Sequence, residues 1–283
     1  MPAFALGVLS IAILVVMDAF IKDLSATHYA PALVALRFIA TAAWVLPIML
    51  YMQHPWPRGA AFRGHALRSA LTMVSNACFF HALSALPLAD VFAISFLGPI
   101  FIAVLGVMLH GERLGNGAGV AIAVAFAGML VIVKGGQTGS ASDWPMHGLA
   151  AALGAPLTYA VSISLLKKQA VREPPVVIIL VQAVLISVMA APLAAAGWSD
   201  LVPKEWLQVA IVGLLSAAGY LMLVNALAGM SAIRYAVVEF TGLIWAALLG
   251  YAIFREVPGL AVWVGSAMIA AGCLLIAMEK DAR

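Results

Sequence analysis

Long apolar runs, broken by short polar segments, fill the chain almost from end to end, and a membrane-crossing helix needs about 20 apolar residues in succession. The runs and their breaks predict ten spans, near residues 3–21, 31–52, 66–86, 89–109, 115–133, 146–166, 175–196, 206–228, 232–253 and 259–278. Pro31, Pro87, Pro145, Pro175 and Pro258 fall at or beside predicted helix starts, where a missing N–H costs little. The first run, Phe4–Ile21, lacks a basic leading segment and is nearly full spanning length, so a retained helix is expected there. The expected fold class is all-α integral membrane, a single transmembrane domain over 1–283.

Composition strengthens this reading by excluding the alternative. The chain is 65% hydrophobic and 10% charged, against about 45–50% and about 25% in soluble domains. Water cannot host that much apolar surface on a chain of this length, and a bilayer can. A net charge of +3, scattered along the chain, gives no footprint for nucleic acid. Cys78 and Cys273 lie in apolar runs outside any CxxC or Cys/His cluster, so no disulfide, metal site or cofactor is expected.

The cations do orient the spans. With the N-terminus inside, the inner segments hold Arg58, Arg63, Arg113, Lys167, Lys168, Arg172, Arg234, Lys280 and Arg283. The outer loops hold Lys22, Lys134, Lys204 and Arg255, leaving Arg37 and Arg68 within spans. Cytoplasmic loops carry the excess of Lys and Arg, so both termini are expected in the cytoplasm and the protein in a bacterial-type inner (plasma) membrane.

The two halves repeat. An offset of 144 aligns Pro31 with Pro175, Gly98 with Gly242, Gly106 with Gly250, Glu112 with Glu256, Gly115 with Gly259, and Gly128 with Gly272. From Gly98 to Ile132, 13 of 35 positions are identical at that offset. Repeat one covers about 1–134 and repeat two about 145–278. Five helices is an odd number, so the second repeat should enter the membrane upside down, giving two inverted five-helix repeats. Such repeats commonly supply the two halves of an alternating-access transporter.

Each repeat carries an acidic turn, His110-Gly-Glu-Arg-Leu-Gly115 and Phe254-Arg-Glu-Val-Pro-Gly259. Each turn leads into a Gly-containing final helix, through Ala125-Phe-Ala-Gly-Met-Leu-Val-Ile-Val133 and Ile269-Ala-Ala-Gly-Cys-Leu-Leu-Ile-Ala277. In these features and in its ten-helix repeat, the chain resembles the EamA branch of the drug/metabolite transporter (DMT) superfamily, over nearly its whole length. Within that branch it looks most like amino-acid exporters of the YddG type. The resemblance implies a central cavity open to one side and transport of a small metabolite.

Glu112 and Glu256 are expected to accept N–H groups at the start of the helix that follows each, where the dipole also favours an anion. Gly115-x-x-x-Gly119 reads as an internal helix seam before a dimer motif.

Ionisable groups within spans call for an explanation of their own. Asp18 and Arg37 lie near the predicted outer surface and either pair with each other or leave Arg37 free to hold a substrate carboxylate. His81, with Ser75 and Asn76 deeper on the same helix, either packs or lines the cavity and titrates. At the offset of 144, His81 aligns with Asn225 and Ser95 with Glu239. Two polar belts are expected: Asp18, Arg37, His81 and Ser95 in the outer half, and Ser162, Gln182, Asn225 and Glu239 in the inner half. Glu239, in an otherwise apolar span, serves either proton coupling, with Asp18 and His81, or as an inner-gate tether to Arg234 or a backbone group.

Trp44, Phe101, Tyr159, Tyr220, Tyr235 and Trp245 fall within spans, where packing and contact with an aromatic or amphipathic solute are both open readings. Trp144, Trp198 and Trp206 read as interfacial. Arg37 is taken as the one deep cation, which disfavours sugar phosphates and dicarboxylates. No P-loop, HExxH or DDxxD pattern is present, so neither ATP hydrolysis nor intramembrane catalysis is expected. The expected partners are the bilayer and a small-molecule substrate. The leading function is export of amino acids, aromatic ones included; the rival is export of organic cations, and an intramembrane enzyme or receptor is the different class.

Overall fold

The structure, a computed structural model, describes residues 3–25, 28, 30–86, 91, 94–113, 115–135, 145–195, 201–254 and 259–278. Ten α-helices lie among them: α1 Ala3–Ser25, α2 Ala30–Tyr51, α3 Ala60–Ala85, α4 Gly98–His110, α5 Asn116–Gly135, α6 Met146–Ala170, α7 Pro175–Ala195, α8 Pro203–Gly229, α9 Ala232–Phe254 and α10 Leu260–Met278. Six of them (α1, α2, α6, α7, α8 and α9) are long and apolar enough to cross a membrane. α4, α5 and α10 are apolar over a shorter described length. α3 is 26 residues long but carries Arg63, His65, Arg68, Asn76 and His81. Glu256, Arg255, Lys280, Arg283, Trp144, Trp198, Pro87 and Pro258 lie outside the described residues.

Local chemistry sets the helix ends. The predicted fourth span, 89–109, is interrupted: Ile94 and Ser95 are helical, Phe96 and Leu97 turn, and α4 starts at Gly98. Pro99 is the cause, because its ring excludes the carbonyl four residues back and it has no N–H to donate. Leu243 takes that place in the second half, and α9 runs unbroken across it. At its other end α4 stops at Gly111, whose φ of 65° is a left-handed conformation that suits glycine. α3 begins six residues before the predicted span, after Gly59 at φ 59°. Glu205, three residues into α8, reaches back to accept the Val202 N–H at 2.8 Å, half of a capping box.

The chain forms two compact units, neither of which coincides with a sequence repeat. Unit 1 comprises Ala3–Met73 and Leu165–Ala228; unit 2 comprises Val74–Ser164 and Gly229–Arg283. In unit 1, α2 packs along α7. Phe38 meets Ala183 and Ile186, while Ala32 and Ala35 meet Ala190, so the two helices run antiparallel. Gly213 brings α8 against α2: a Cβ there would lie 2.5 Å from the Ala40 Cβ.

In unit 2 the main seam joins α5 and α10. A Cβ on Gly128 would come within 2.7 Å of the Gly265 carbonyl, and one on Gly272 within 2.8 Å of the Ala121 carbonyl. The partners of Gly128 extend to Ile269 and those of Gly272 to Ala125. The contacts are therefore reciprocal at the sequence offset of 144, and they order the helices antiparallel. Lipid gives apolar helices no hydrophobic reason to associate, so close backbone approach at small residues must hold such a seam.

Glu112 acts as a cap, but on a helix other than the expected one. Its carboxylate accepts the N–H groups of Ala232 at 2.8 Å and Ile233 at 3.0 Å, at the start of α9 rather than α5. Gly106 makes room, since a Cβ there would lie 2.8 Å from Glu112 Oε2. The left-handed Gly111 turns the chain so that the Glu112 N–H bonds back to the Gly106 carbonyl at 3.2 Å. Orphan N–H groups and the positive end of the α9 dipole both favour an anion at that point.

Two outcomes follow. Gly272→Val should lower the apparent melting temperature in detergent, because overpacking a closed seam costs about 1–3 kcal/mol. Gly259→Ala, with nothing within 4 Å of its Cβ, should melt like the parent. Glu112→Ala should lose about 0.5–2 kcal/mol, the usual cost of deleting a helix cap. Glu112→Gln keeps one acceptor oxygen and should fall between Ala and the parent in the same melting assay.

Candidate functional site

Each unit contains its own polar cluster. In unit 1 the centre is Arg68, which is 1% exposed. Its guanidinium donates to Gln182 Oε1 on α7 and to the Ile178 carbonyl at 3.1 Å. Gln182 donates in turn to Thr72 Oγ1 at 3.3 Å, and the Thr72 hydroxyl donates to the Arg68 carbonyl at 3.0 Å. One turn before Arg68, the His65 ring bonds Glu173 at 2.7 Å. Arg68, Gln182 and Thr72 thus bond one another where water is excluded, as burial demands.

Arg37, on α2, belongs to the same unit. Its Nη2 donates to the Tyr220 hydroxyl on α8 at 3.2 Å, with the guanidinium carbon 5.7 Å from that ring's centre and 5.3 Å from that of Phe38. The Arg37 Nε is buried and has no hydrogen-bond partner among the described residues. Asp18 is near enough to feel the charge of Arg37, but no ion pair joins the two among the described residues. Of the two readings of Asp18 and Arg37, the ion pair is absent among the described residues, and Arg37 bonds a phenol instead. Arg37 is also not the one deep cation, because Arg68 is more deeply buried and was passed over in sequence. The signal that could have found it was Gln182, one of the few polar residues of α7.

In unit 2 the centre is Glu239 on α9. The Tyr159 hydroxyl, from α6, donates to Glu239 Oε1 at 2.6 Å. Tyr235, one turn earlier on α9 and fully buried, lies within electrostatic reach of the same carboxylate. Gly98 lies beside the Tyr159 ring, since a Cβ there would stand 3.6 Å from its Cδ1. The partner found for Glu239 is therefore a phenol on another helix, where sequence had suggested Arg234. The Ser75 hydroxyl donates to the Ala155 carbonyl at 2.9 Å, and His110 bonds Ser164 at 2.9 Å.

The remaining sequence candidates divide. His81 is exposed, its ring centre 5.4 Å from that of His147. Asn76 and Phe101 are half-buried, and Ser162 is buried. Trp245 is half-buried with its indole N–H enclosed and without a partner among the described residues. Ser95 donates to the Val91 carbonyl at 2.8 Å and Asn225 to that of Leu221 at 2.6 Å. Both bonds stay within one turn of chain. Trp44, by contrast, donates its indole N–H across to the Ala210 carbonyl of α8 at 2.9 Å. Among the described residues, no three His, Cys, Asp or Glu side chains gather to hold a metal.

Known proteins place this architecture. The EamA-like transporter family matches the chain twice, over residues 1–134 and 146–278. The pseudopaline exporter CntI of Pseudomonas aeruginosa is 27% identical over 275 residues, covering 94% of this chain and 92% of that protein. An S-adenosylmethionine uptake transporter of Rickettsia bellii is 26% identical over 250 residues, covering 87% and 83%. A crystal structure with 19% identity superposes at a TM-score of 0.85 over 98% of both chains, a likeness of fold. The chain belongs to the EamA-like transporter family of the drug/metabolite transporter superfamily, and is a membrane transporter rather than an enzyme.

Proposed function

We propose that the chain is a secondary transporter exporting small amphipathic metabolites, amino acids including aromatic ones, by alternating access between two inverted five-helix repeats. The observation that carries the substrate reading is the Tyr159–Glu239 pair. It puts a carboxylate beside aromatic rings on a helix whose other polar side chains are few, Arg234 and Thr241 among them. In unit 1, Arg37 keeps an uncommitted Nε beside the Tyr220 and Phe38 rings and suits a substrate carboxylate. Each group, taken within its own unit, suits one of the two charges of an amino acid. The relative named for S-adenosylmethionine handles a methionine derivative, which supports that class.

The inverted arrangement is supported by the antiparallel seams. α2 and α7, and α5 and α10, occupy equivalent places at the offset of 144, and each pair runs antiparallel. The double family match supports the duplication itself. The cation bias supports cytoplasmic termini in an inner (plasma) membrane. A second reading, export of organic cations, is favoured by the same Glu239, since a carboxylate flanked by phenol rings also attracts a cation.

Protein in liposomes should move neutral amino acids and leave sugar phosphates untouched; transport confined to organic cations would favour the second reading. Glu239→Gln and His81→Asn should insert normally and transport severalfold more slowly. Glu239→Gln should also flatten the dependence of initial rate on pH, because the amide cannot carry a proton. Parent-like rates for both variants at every pH would make these residues structural.

Topology has an independent check in a variant lacking Cys78 and Cys273. An impermeant thiol reagent applied from outside should label cysteines placed at Gly136 and Ser199, two positions outside the described residues. It should spare Gly59 and Ala170. The reverse pattern would overturn the inverted arrangement as oriented here.

A further inference from the structure

At one end of unit 1, the loop after α2 faces the turn between α6 and α7 across a cavity of about 760 Å³. Three cations line it: Arg58 from the loop, and Lys168 and Arg172 from the end of α6 and the turn. A single carboxylate, Glu173, shares the lining, held at 2.7 Å by the buried His65. The loop is stiff by composition. Pro55 and Pro57 bracket Trp56, and Gly59 at φ 59° turns the chain into α3. Prolines reduce the freedom lost when such a loop is ordered, so the cavity does not depend on a ligand to shape it.

A second observation points to what the cavity takes. Gln169 lines it, is 8% exposed, and its Oε1 is buried without a hydrogen-bond partner. An amide oxygen can only accept, so it calls for a hydroxyl or an ammonium. Gly64 stands beside the same amide, where a Cβ would lie 3.5 Å from Nε2. The cations of the same lining call for an anion beside that donor. The surroundings narrow the source. Ile48, Leu50, Tyr51 and Met52, at the end of α2 leading into the loop, are all exposed, at 41%, 67%, 89% and 50%. An apolar outer surface therefore runs up to a cation-lined mouth that also carries Trp56, as at a membrane–water boundary.

We propose that this cavity binds a phosphorylated glycerol, with the phosphate on Arg58, Lys168 and Arg172 and a glycerol hydroxyl donating to Gln169 Oε1. That chemistry is shared by the headgroup of an anionic lipid such as phosphatidylglycerol and by free glycerol phosphate. The site lies entirely within unit 1 and does not depend on the transport reading.

The test has two arms. In the first, full-length protein in phosphatidylcholine nanodiscs doped with labelled phosphatidylglycerol is scored for lipid retained after exchange. In the second, sn-glycerol 3-phosphate is titrated calorimetrically into protein in neutral detergent. Arg58 and Arg172 are both exposed, so Arg58→Ala/Arg172→Ala should melt like the parent while weakening binding by about fivefold for each cation removed. Gln169→Leu should weaken it further with the cations intact. Retention of phosphatidylglycerol that falls in these variants assigns the site to lipid; glycerol phosphate binding with the same dependence assigns it to a soluble ester. Binding of neither probe, or binding that all variants keep at the parent level, overturns the proposal.

Discussion

The contact on which unit 2 depends is backbone on backbone, where Gly128 and Gly272 let α5 and α10 touch. In lipid, apolar side chains gain nothing by turning from solvent toward a neighbouring helix, so dispersion at short range has to do the work. A Cβ at either position would sit about 2.7–2.8 Å from a carbonyl of the facing helix, closer than atoms can pack. Gly106 extends the same logic to a polar contact. Its missing side chain lets the Glu112 carboxylate reach the start of α9, where two N–H groups would otherwise lack a partner.

Polar residues inside the units follow a second rule. Where the donor and acceptor lie on different helices, they tie the helices together and are a resource for function. Arg68–Gln182, Arg37–Tyr220 and Tyr159–Glu239 are of this kind. Where a hydroxyl or amide returns to the carbonyl four residues back, as with Ser95, Asn225, Thr41 and Ser187, its polarity is absorbed locally. Such a residue crosses lipid at little cost.

That distinction limits what could be read in advance. Ten helices and most of their ends were legible, because apolar length and proline placement are local properties. The break before α4 was legible too in principle: Pro99 has no counterpart in the second half, yet an unbroken apolar run concealed it. Helix partners were not legible. Glu112 was identified as a cap from its turn, but the choice of α9 over α5 depends on Gly106 and on a fold that brings residue 232 beside residue 112. Arg68 was missed for a related reason. A cation near a helix start looks solvent-facing until Gln182, Thr72 and the Ile178 carbonyl are placed around it.

Arg68 also bears on the substrate argument, which had rested on a scarcity of deep cations. Two guanidinium groups within spans call at first sight for a doubly charged anion. Their hydrogen bonds argue otherwise. Arg68 already gives both Nη groups to Gln182 and a carbonyl, with Thr72 bracing the amide. A phosphate would have to displace bonds that are fully formed and shielded from water. Arg37, by contrast, gives a single nitrogen to a phenol on another helix. Of the two, Arg37 has the fewer Nη bonds to exchange for a ligand, and a single carboxylate is what one guanidinium can balance. What bears on the proposed choice of a zwitterion over a phosphorylated solute is thus the commitment of each cation rather than their number.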